Sequence, residues 1–362
     1  MNTLLRFLLI AFCVPAFISC KHPSHTKVER AFYYWKSNGH QLQDNEETYL
    51  RKLHVQKLYV KFFEVGYDNT FGIIPTSKTD FYYYNYWNDS DIVLQQMHII
   101  PTIYIKNEIF FKSSKAGLDS LADNILFLTN KYYKNLIRSS YEERMNKEKA
   151  AYDELQIDCD WTATTRENYF YLLKSLKRQS NKIISCTLRL YPYKYQTKMG
   201  MPPVDKATLM CYNLINPLKN ENKNSILDLN EFKTYLNVGK KYPLHLDIAL
   251  PVYSWMQCYQ NNHFTGMIYH DNASILKVLE PVDELWYQVT KDTVIDDLYL
   301  RVGDKIKYEA ITPEKLNKAI ALIKDNVQLD NTSTIAFFHL DGTNLKQISY
   351  ETLDSLYTDF SK

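Results

Sequence analysis

Residues 153–162 run Asp153-Glu-Leu-Gln156-Ile-Asp158-Cys-Asp160-Trp161-Thr, a short apolar segment punctuated by acids. Read as a β-strand, it places Gln156, Asp158 and Asp160 on one face and Ile157 and Cys159 on the other. Neighbouring members of that trio then lie about 7 Å apart. Two carboxylates so close do not ionise independently. One of them is expected to hold its proton toward neutral pH beside a charged partner, and the titration belongs to the pair.

Similar short runs recur along the chain, each followed by a polar or helical stretch. They are Ala31–Trp35, Lys57–Phe63, Ile99–Tyr104, Leu155–Asp160, Ile183–Arg189, Thr208–Tyr212, Leu244–Leu250 and Thr334–Leu340. Helical spacing joins several of them, over Leu118–Met145, Thr165–Arg178 and Pro313–Val327, the last with Thr312 as N-cap and Pro313 at the first helical position. The charged tail Glu142–Lys149 is expected to project into solvent. Eight strands alternating with helices predict an α/β fold, a (β/α)8 TIM barrel. Its active sites lie at the C-terminal strand ends, where the acidic pair falls. Residues 284–310 break the alternation with short strands around turns. They are expected to form a small β-rich insertion between the seventh strand and the last helix.

The chain has 362 residues, with Lys+Arg 43 against Asp+Glu 41, a net charge of +2. A core-forming apolar content of 45% excludes a disordered chain, and the near-neutral balance argues against a nucleic-acid partner. Tyrosine is abundant at 30 residues, which suits stacking on sugars, although composition alone points first to codon bias. Residues 1–20 carry Arg6, an apolar stretch from Leu4 to Phe17 and Phe17-Ile-Ser-Cys20, the pattern of a bacterial lipoprotein signal with Cys20 as the lipidated residue. Residues 21–28 are expected to tether a domain spanning 29–362. That places the protein in the cell envelope, membrane-bound through its N-terminal lipid. Cys159, Cys186, Cys211 and Cys258 lack zinc spacing; the first three are expected as buried thiols, with a disulfide left open. Neither a cofactor nor a metal site is expected, although an Asp-x-Asp pair can in principle hold Mg²⁺ or Ca²⁺.

The order of motifs resembles the family-18 glycoside hydrolases, chitinases and endo-β-N-acetylglucosaminidases whose fourth barrel strand carries D-x-x-D-x-D-x-E. Asp153, Gln156, Asp158 and Asp160 occupy those positions here. Met210-Cys-Tyr212-Asn213 is similar to the family's sixth-strand motif, Pro251-Val-Tyr253 to its seventh-strand segment and Phe337–Gly342 to its last strand. The resemblance implies retaining, substrate-assisted hydrolysis of glycans containing N-acetylglucosamine, with a 2-acetamido oxygen as nucleophile. It implies Asp160 as general acid, Asp158 as the group that orients the acetamide, and Tyr212 as its hydrogen-bond donor. The chain departs from the pattern at Asp160, which replaces a glutamate, at Gln156, which replaces an aspartate, and at Phe338, which replaces a tryptophan floor. The alternative is a glycan-binding barrel that has lost turnover.

Candidate ligand contacts are Gln156, Trp161, Arg189, Tyr191, Asn213, Tyr253, Trp255 and Phe338. Arg189 is as well placed for a salt bridge to Asp158 or Asp160 as for a ligand. His245 with Asp247, and His339 with Asp341, share strand faces, but without a serine elbow they are expected to be core or rim histidines. The run Tyr82–Trp87 is either a stacking surface or an aromatic plug.

Overall fold

The computed structural model describes residues 27–37, 42–79, 97–137, 151–219, 222–268, 272–295 and 298–361. The leader with Cys20, the Tyr82–Trp87 run and the Glu142–Lys149 tail lie outside the described residues.

Eight parallel strands form a closed ring: β1 (Lys27–Tyr34), β2 (Lys57–Asp68), β4 (His98–Ile105), β5 (Glu154–Asp158), β6 (Ile183–Arg189), β7 (Lys206–Met210), β8 (His245–Pro251) and β16 (Thr332–Phe338). Each pairs with its predecessor, and β1 closes the ring by pairing with both β2 and β16. The predicted (β/α)8 barrel is therefore present. Its strands are buried on both faces, which is why they read as nearly continuous apolar runs. A further strand, β3 (Gly72–Lys78), pairs antiparallel with β2 outside the ring.

The surrounding helices include α1 (Asp44–Lys52), α2 (Ile109–Lys112), α3 (Lys115–Ile137), α4 (Arg166–Gln179), α5 (Leu190–Lys194), α6 (Gln196–Met199) and α7 (Leu229–Leu236). On α4, Tyr169, Leu172, Leu173 and Leu176 recur at helical spacing and are buried against the barrel. Asp228 caps α7 by accepting from Glu231 N–H at 2.9 Å. Thr312 caps α9 (Pro313–Asn326), accepting from Lys315 N–H at 3.3 Å. The chain ends in α10 (Gly342–Leu345) and α11 (Tyr350–Ser361). From α11, Tyr357 donates to the Ala31 carbonyl of β1 at 2.7 Å, and Asp354 pairs with Arg30 at 2.6 Å.

Inside the ring, Tyr33 and Tyr59 stack with ring centroids 4.9 Å apart. Seven tyrosines, Tyr33, Tyr34, Tyr59, Tyr169, Tyr193, Tyr242 and Tyr357, rank among the largest fully buried side chains, so much of the aromatic content builds core.

The β-rich insertion follows β8. It comprises β9 (Trp255–Gln260), β10 (His263–Ile268), α8 (Asn272–Leu276), β11 (Leu279–Pro281), β12 (Trp286–Val289), β13 (Thr293–Ile295), β14 (Leu298–Leu300) and β15 (Lys305–Glu309). Five of its strands form a sheet in the order β10-β9-β15-β12-β11. Met256, Cys258, Ile275, Val289, Leu300 and Ile306 make a separate small core. The segment thus begins at Trp255, upstream of the strands read from 284–310. Cys159, Cys186, Cys211 and Cys258 are all buried free thiols. Among the described residues no helix is long and apolar enough to cross a membrane.

Candidate active site

Asp158 is the last residue of β5 and is half-buried at the C-terminal mouth of the ring. Thr187 of β6 donates its hydroxyl to Asp158 Oδ1 at 2.5 Å. Burial raises the Asp158 carboxyl to about 7, with the nearby Asp160 charge adding to the rise; Thr187 and Arg189 act in the opposite sense. Near neutral pH the pair is therefore partly protonated. Asp158 stands in register with Tyr104 of β4, and Tyr104 with Glu64 of β2. Burial, then the Asp160 and Asp158 charges, push the Tyr104 phenol up to about 12, so it stays a neutral donor. Glu64 accepts from Lys61 Nζ at 2.6 Å, and the same ammonium reaches Ser37 Oγ at 2.6 Å and lies 5.6 Å from the Trp35 ring centre.

Asp160 follows the strand end, and its side chain is 54% exposed. Its Oδ1 lies 3.3 Å from Arg189 Nη1. Arg189 Nη2 donates to the Asn213 carbonyl at 2.9 Å. Asn213 holds a left-handed φ of 53°, and its Oδ1 accepts from Tyr253 O–H at 2.6 Å. Asparagine tolerates that backbone better than most residues with a side chain. One chain of contacts thus runs from the acid through Arg189 and Asn213 to Tyr253.

Phe338 lies at the centre of an aromatic group. Its ring centre is 5.0 Å from Tyr212, 5.7 Å from Tyr33, and 5.8 Å from both Trp35 and Tyr253. Tyr212 is buried, and its hydroxyl lies 3.7 Å from Met210 Sδ. Trp255 packs 5.5 Å from Tyr253, and its indole N–H donates to Glu309 of the insertion. Glu309 also accepts from Ser225 N–H, Ser225 O–H and Gln257, and pairs with Lys307 at 2.8 Å. Both charged partners are fully buried.

Beside Asp160 opens a cleft of about 530 Å³, lined by Asp160–Thr164, Arg189, Tyr191, Pro192, Lys198 and Met199. Tyr191 is 40% exposed, and Lys198 Nζ donates to its hydroxyl at 3.1 Å. Trp161 is only 4% exposed and stacks on Tyr169 at 5.1 Å, so it forms the wall from behind.

The structure brings Asp158, Asp160, Arg189, Tyr191, Tyr212, Asn213, Tyr253, Trp255 and Phe338 to the same end of the barrel. Gln156 departs from the expected ligand contact. It has 0% exposure, accepts from Tyr33 O–H at 2.9 Å and donates to Thr208 at 3.1 Å. Its amide fills the barrel interior below the acids and leaves no surface for a ligand. Glu64, Tyr104, Lys61 and Glu309 were not anticipated. Their signal is register: Glu64 and Tyr104 lie level with Asp158 on neighbouring strands.

The two His–Asp pairs separate. His245 Nε2 lies 3.2 Å from Asp247 and Nδ1 2.8 Å from Asp330, at the start of β8 with Lys206 and Glu154, at the opposite end of the barrel. Asp341 caps α10, and burial keeps His339 below the usual histidine range.

This architecture is that of a (β/α)8 TIM barrel carrying a β-rich insertion after its seventh strand. No family model matches the chain, and no curated protein matches it. Among solved structures, a chitinase from Chromobacterium violaceum aligns at 11% identity and a TM-score of 0.55, covering 92% of this chain and 98% of the other. The spore cortex-lytic enzyme SleL of Bacillus cereus aligns at 15% identity and a TM-score of 0.49, with coverages of 92% and 75%. A tamarind chitinase-like lectin aligns at 10% identity and a TM-score of 0.43, with coverages of 92% and 98%.

Proposed function

We propose that the protein is a glycosidase acting on glycans that contain N-acetylglucosamine, by retaining, substrate-assisted hydrolysis. The observation that carries the reading is the Asp158–Asp160 carboxylate pair at the mouth of a chitinase-type barrel, where burial raises Asp158 to about 7. In this reading Asp158 orients the 2-acetamido group, whose oxygen attacks the anomeric carbon. Asp160 takes up the proton that the carboxylate pair carries, leaving Asp158 ionised, and donates it to the departing glycosidic oxygen. Water then opens the cyclic intermediate and returns a proton to Asp160, so the anomeric configuration is retained. Tyr212 hydrogen-bonds the acetamido oxygen, Phe338 floors the subsite, and Asn213, Tyr253 and Trp255 shape its rim. No cofactor enters the scheme.

The test is hydrolysis of chitooligosaccharides, peptidoglycan and high-mannose N-glycans by the purified protein, beside Asp160→Asn. The expected result is turnover with retained configuration that falls about 10²-fold or more in the variant, as loss of a general acid requires. Wild type no faster than the variant on every glycan overturns the reading.

The Arg189–Asp160 ion pair favours a second reading, a non-catalytic glycan-binding barrel. That reading predicts binding that survives Asp160→Asn without turnover. Either way, the lipobox-like sequence ending at Cys20 supports anchoring of the protein in the bacterial envelope. Cys20→Ala is expected to abolish incorporation of labelled fatty acid.

A further inference from the structure

We infer that the cleft beside Asp160 is built for a glycan carrying a carboxylate next to its N-acetylhexosamine, with Arg189 as the anchor for that group. The inference rests on the glycosidase reading above and names its substrate class. A neutral amino-sugar chain presents hydroxyl and amide groups, which need no cation. This cleft nevertheless places Arg189 and Lys198 in its lining around the exposed ring of Tyr191. Arg166 adds a further cation behind it, donating to the Lys198 carbonyl at 3.1 Å.

Arg189 is set for a planar anion. Asn213 fixes the guanidinium from behind through its carbonyl, while the side chain stays 38% exposed toward the cleft. The guanidinium already faces a carboxylate there, because Asp160 Oδ1 stands 3.3 Å from Nη1. Asp160 thus occupies the position that a ligand carboxylate would take, and a guanidinium prefers a bidentate carboxylate to a single long contact. An acidic glycan entering over Tyr191 would draw Arg189 off Asp160. That leaves Asp160 free to receive the proton held by the pair and pass it to the glycosidic oxygen.

The carboxylate has two chemical sources: the lactyl ether of N-acetylmuramic acid, or a uronic acid alternating with N-acetylglucosamine. The experiment compares five glycans on the purified full chain. They are chitohexaose, peptide-free N-acetylglucosamine–N-acetylmuramic acid strands, the same strands with the lactyl carboxylate reduced to the alcohol, and hyaluronan oligosaccharides beside their carboxyl-reduced twins.

Binding is expected to be about tenfold tighter for one carboxylated glycan than for its reduced twin, the scale of one charge-assisted hydrogen-bonded pair. The ratio should collapse toward unity in Arg189→Gln and survive in part in Arg189→Lys. Lys198→Gln should lower it less, and melting temperatures report that each variant folds. The glycan showing the ratio identifies the source. A carboxylated glycan bound no better than its reduced twin, or a ratio untouched in folded Arg189→Gln, overturns the inference. Hydrolysis of chitohexaose without carboxylate preference overturns it alone and leaves the glycosidase reading standing. Failure to bind any glycan removes both.

Discussion

Asp158 is the residue on which the local chemistry concentrates, and each neighbour acts on it with a known sign. The Thr187 hydroxyl stabilises its ionised form, so Thr187→Val is expected to move the Asp158 titration upward from about 7. The Asp160 charge destabilises that form, so Asp160→Asn is expected to move it downward. Carboxyl-carbon NMR titration of the two variants checks both directions, and equal titrations would show that the carboxylates do not interact. The pair itself was legible in the sequence, because alternation along a strand needs only the spacing of Gln156, Asp158 and Asp160. Glu64 was not. The register of β2 against β4 shifts between Lys61 and Phe63, so counting by twos along Lys57–Phe63 loses the face. Gln156 was legible as sharing the acids' face, but its depth in the ring depends on Tyr33 and Thr208 from distant strands.

At the scale of elements, a buried ion pair within β15 joins the insertion to the barrel through the hydrogen bonds its two members make to the β7–α7 loop, Glu309 accepting from Ser225 and Lys307 donating to the Lys223 carbonyl at 3.0 Å. Lys307 and Glu309 are both fully buried, and Glu309 gathers Ser225 of the β7–α7 loop and the Trp255 indole. Removing one charge leaves the other without compensation, so Glu309→Gln is expected to cost about 3–5 kcal/mol. Urea unfolding measures it, and Trp255 emission reports whether the rim loosens first. The region read as the insertion, 284–310, holds β12 to β15, while the insertion itself begins earlier, at β9. Met256 and Cys258 alternate into the insertion core, a period-two signal that directly follows β8 without a helix to mark the change.

At the base of the barrel, hydrogen bonding to Asp247 raises His245 above its ordinary value against the cost of burial, with Asp330 adding to the rise. The folded pKa exceeds the unfolded one of about 6.5, so the stabilisation is complete below that pH and is lost as pH climbs through the raised value. The stability gap between wild type and His245→Gln is therefore expected to be wider at about pH 6 than at about pH 9. Denaturant midpoints at the two pH values test it, and a gap that widens with pH would contradict the assignment.

For the whole molecule, the barrel was legible because strands buried on both faces advertise themselves as apolar runs, and their count matched a closed ring. The distribution of tyrosine was not, since composition cannot separate the buried Tyr33, Tyr169 and Tyr357 from the exposed Tyr191. The four described cysteines share that interior placement. Cys159, Cys186, Cys211 and Cys258 are expected to resist a thiol reagent in the native protein and to react in denaturant. Rapid native labelling at any of these positions, located by peptide mapping, would contradict the packing.

The seam of the ring carries one more consequence. β1 is hydrogen-bonded to β2 on one side and to β16 on the other, and α11 clasps it from outside through Tyr357 and Asp354. A folding chain can assemble β1 through β8 as an open, curling sheet, yet both outer edges stay bare until β16 docks between them. During that interval β1 and β8 are the edges most prone to wrong pairing, and a chaperone that shields them would protect every later step of folding.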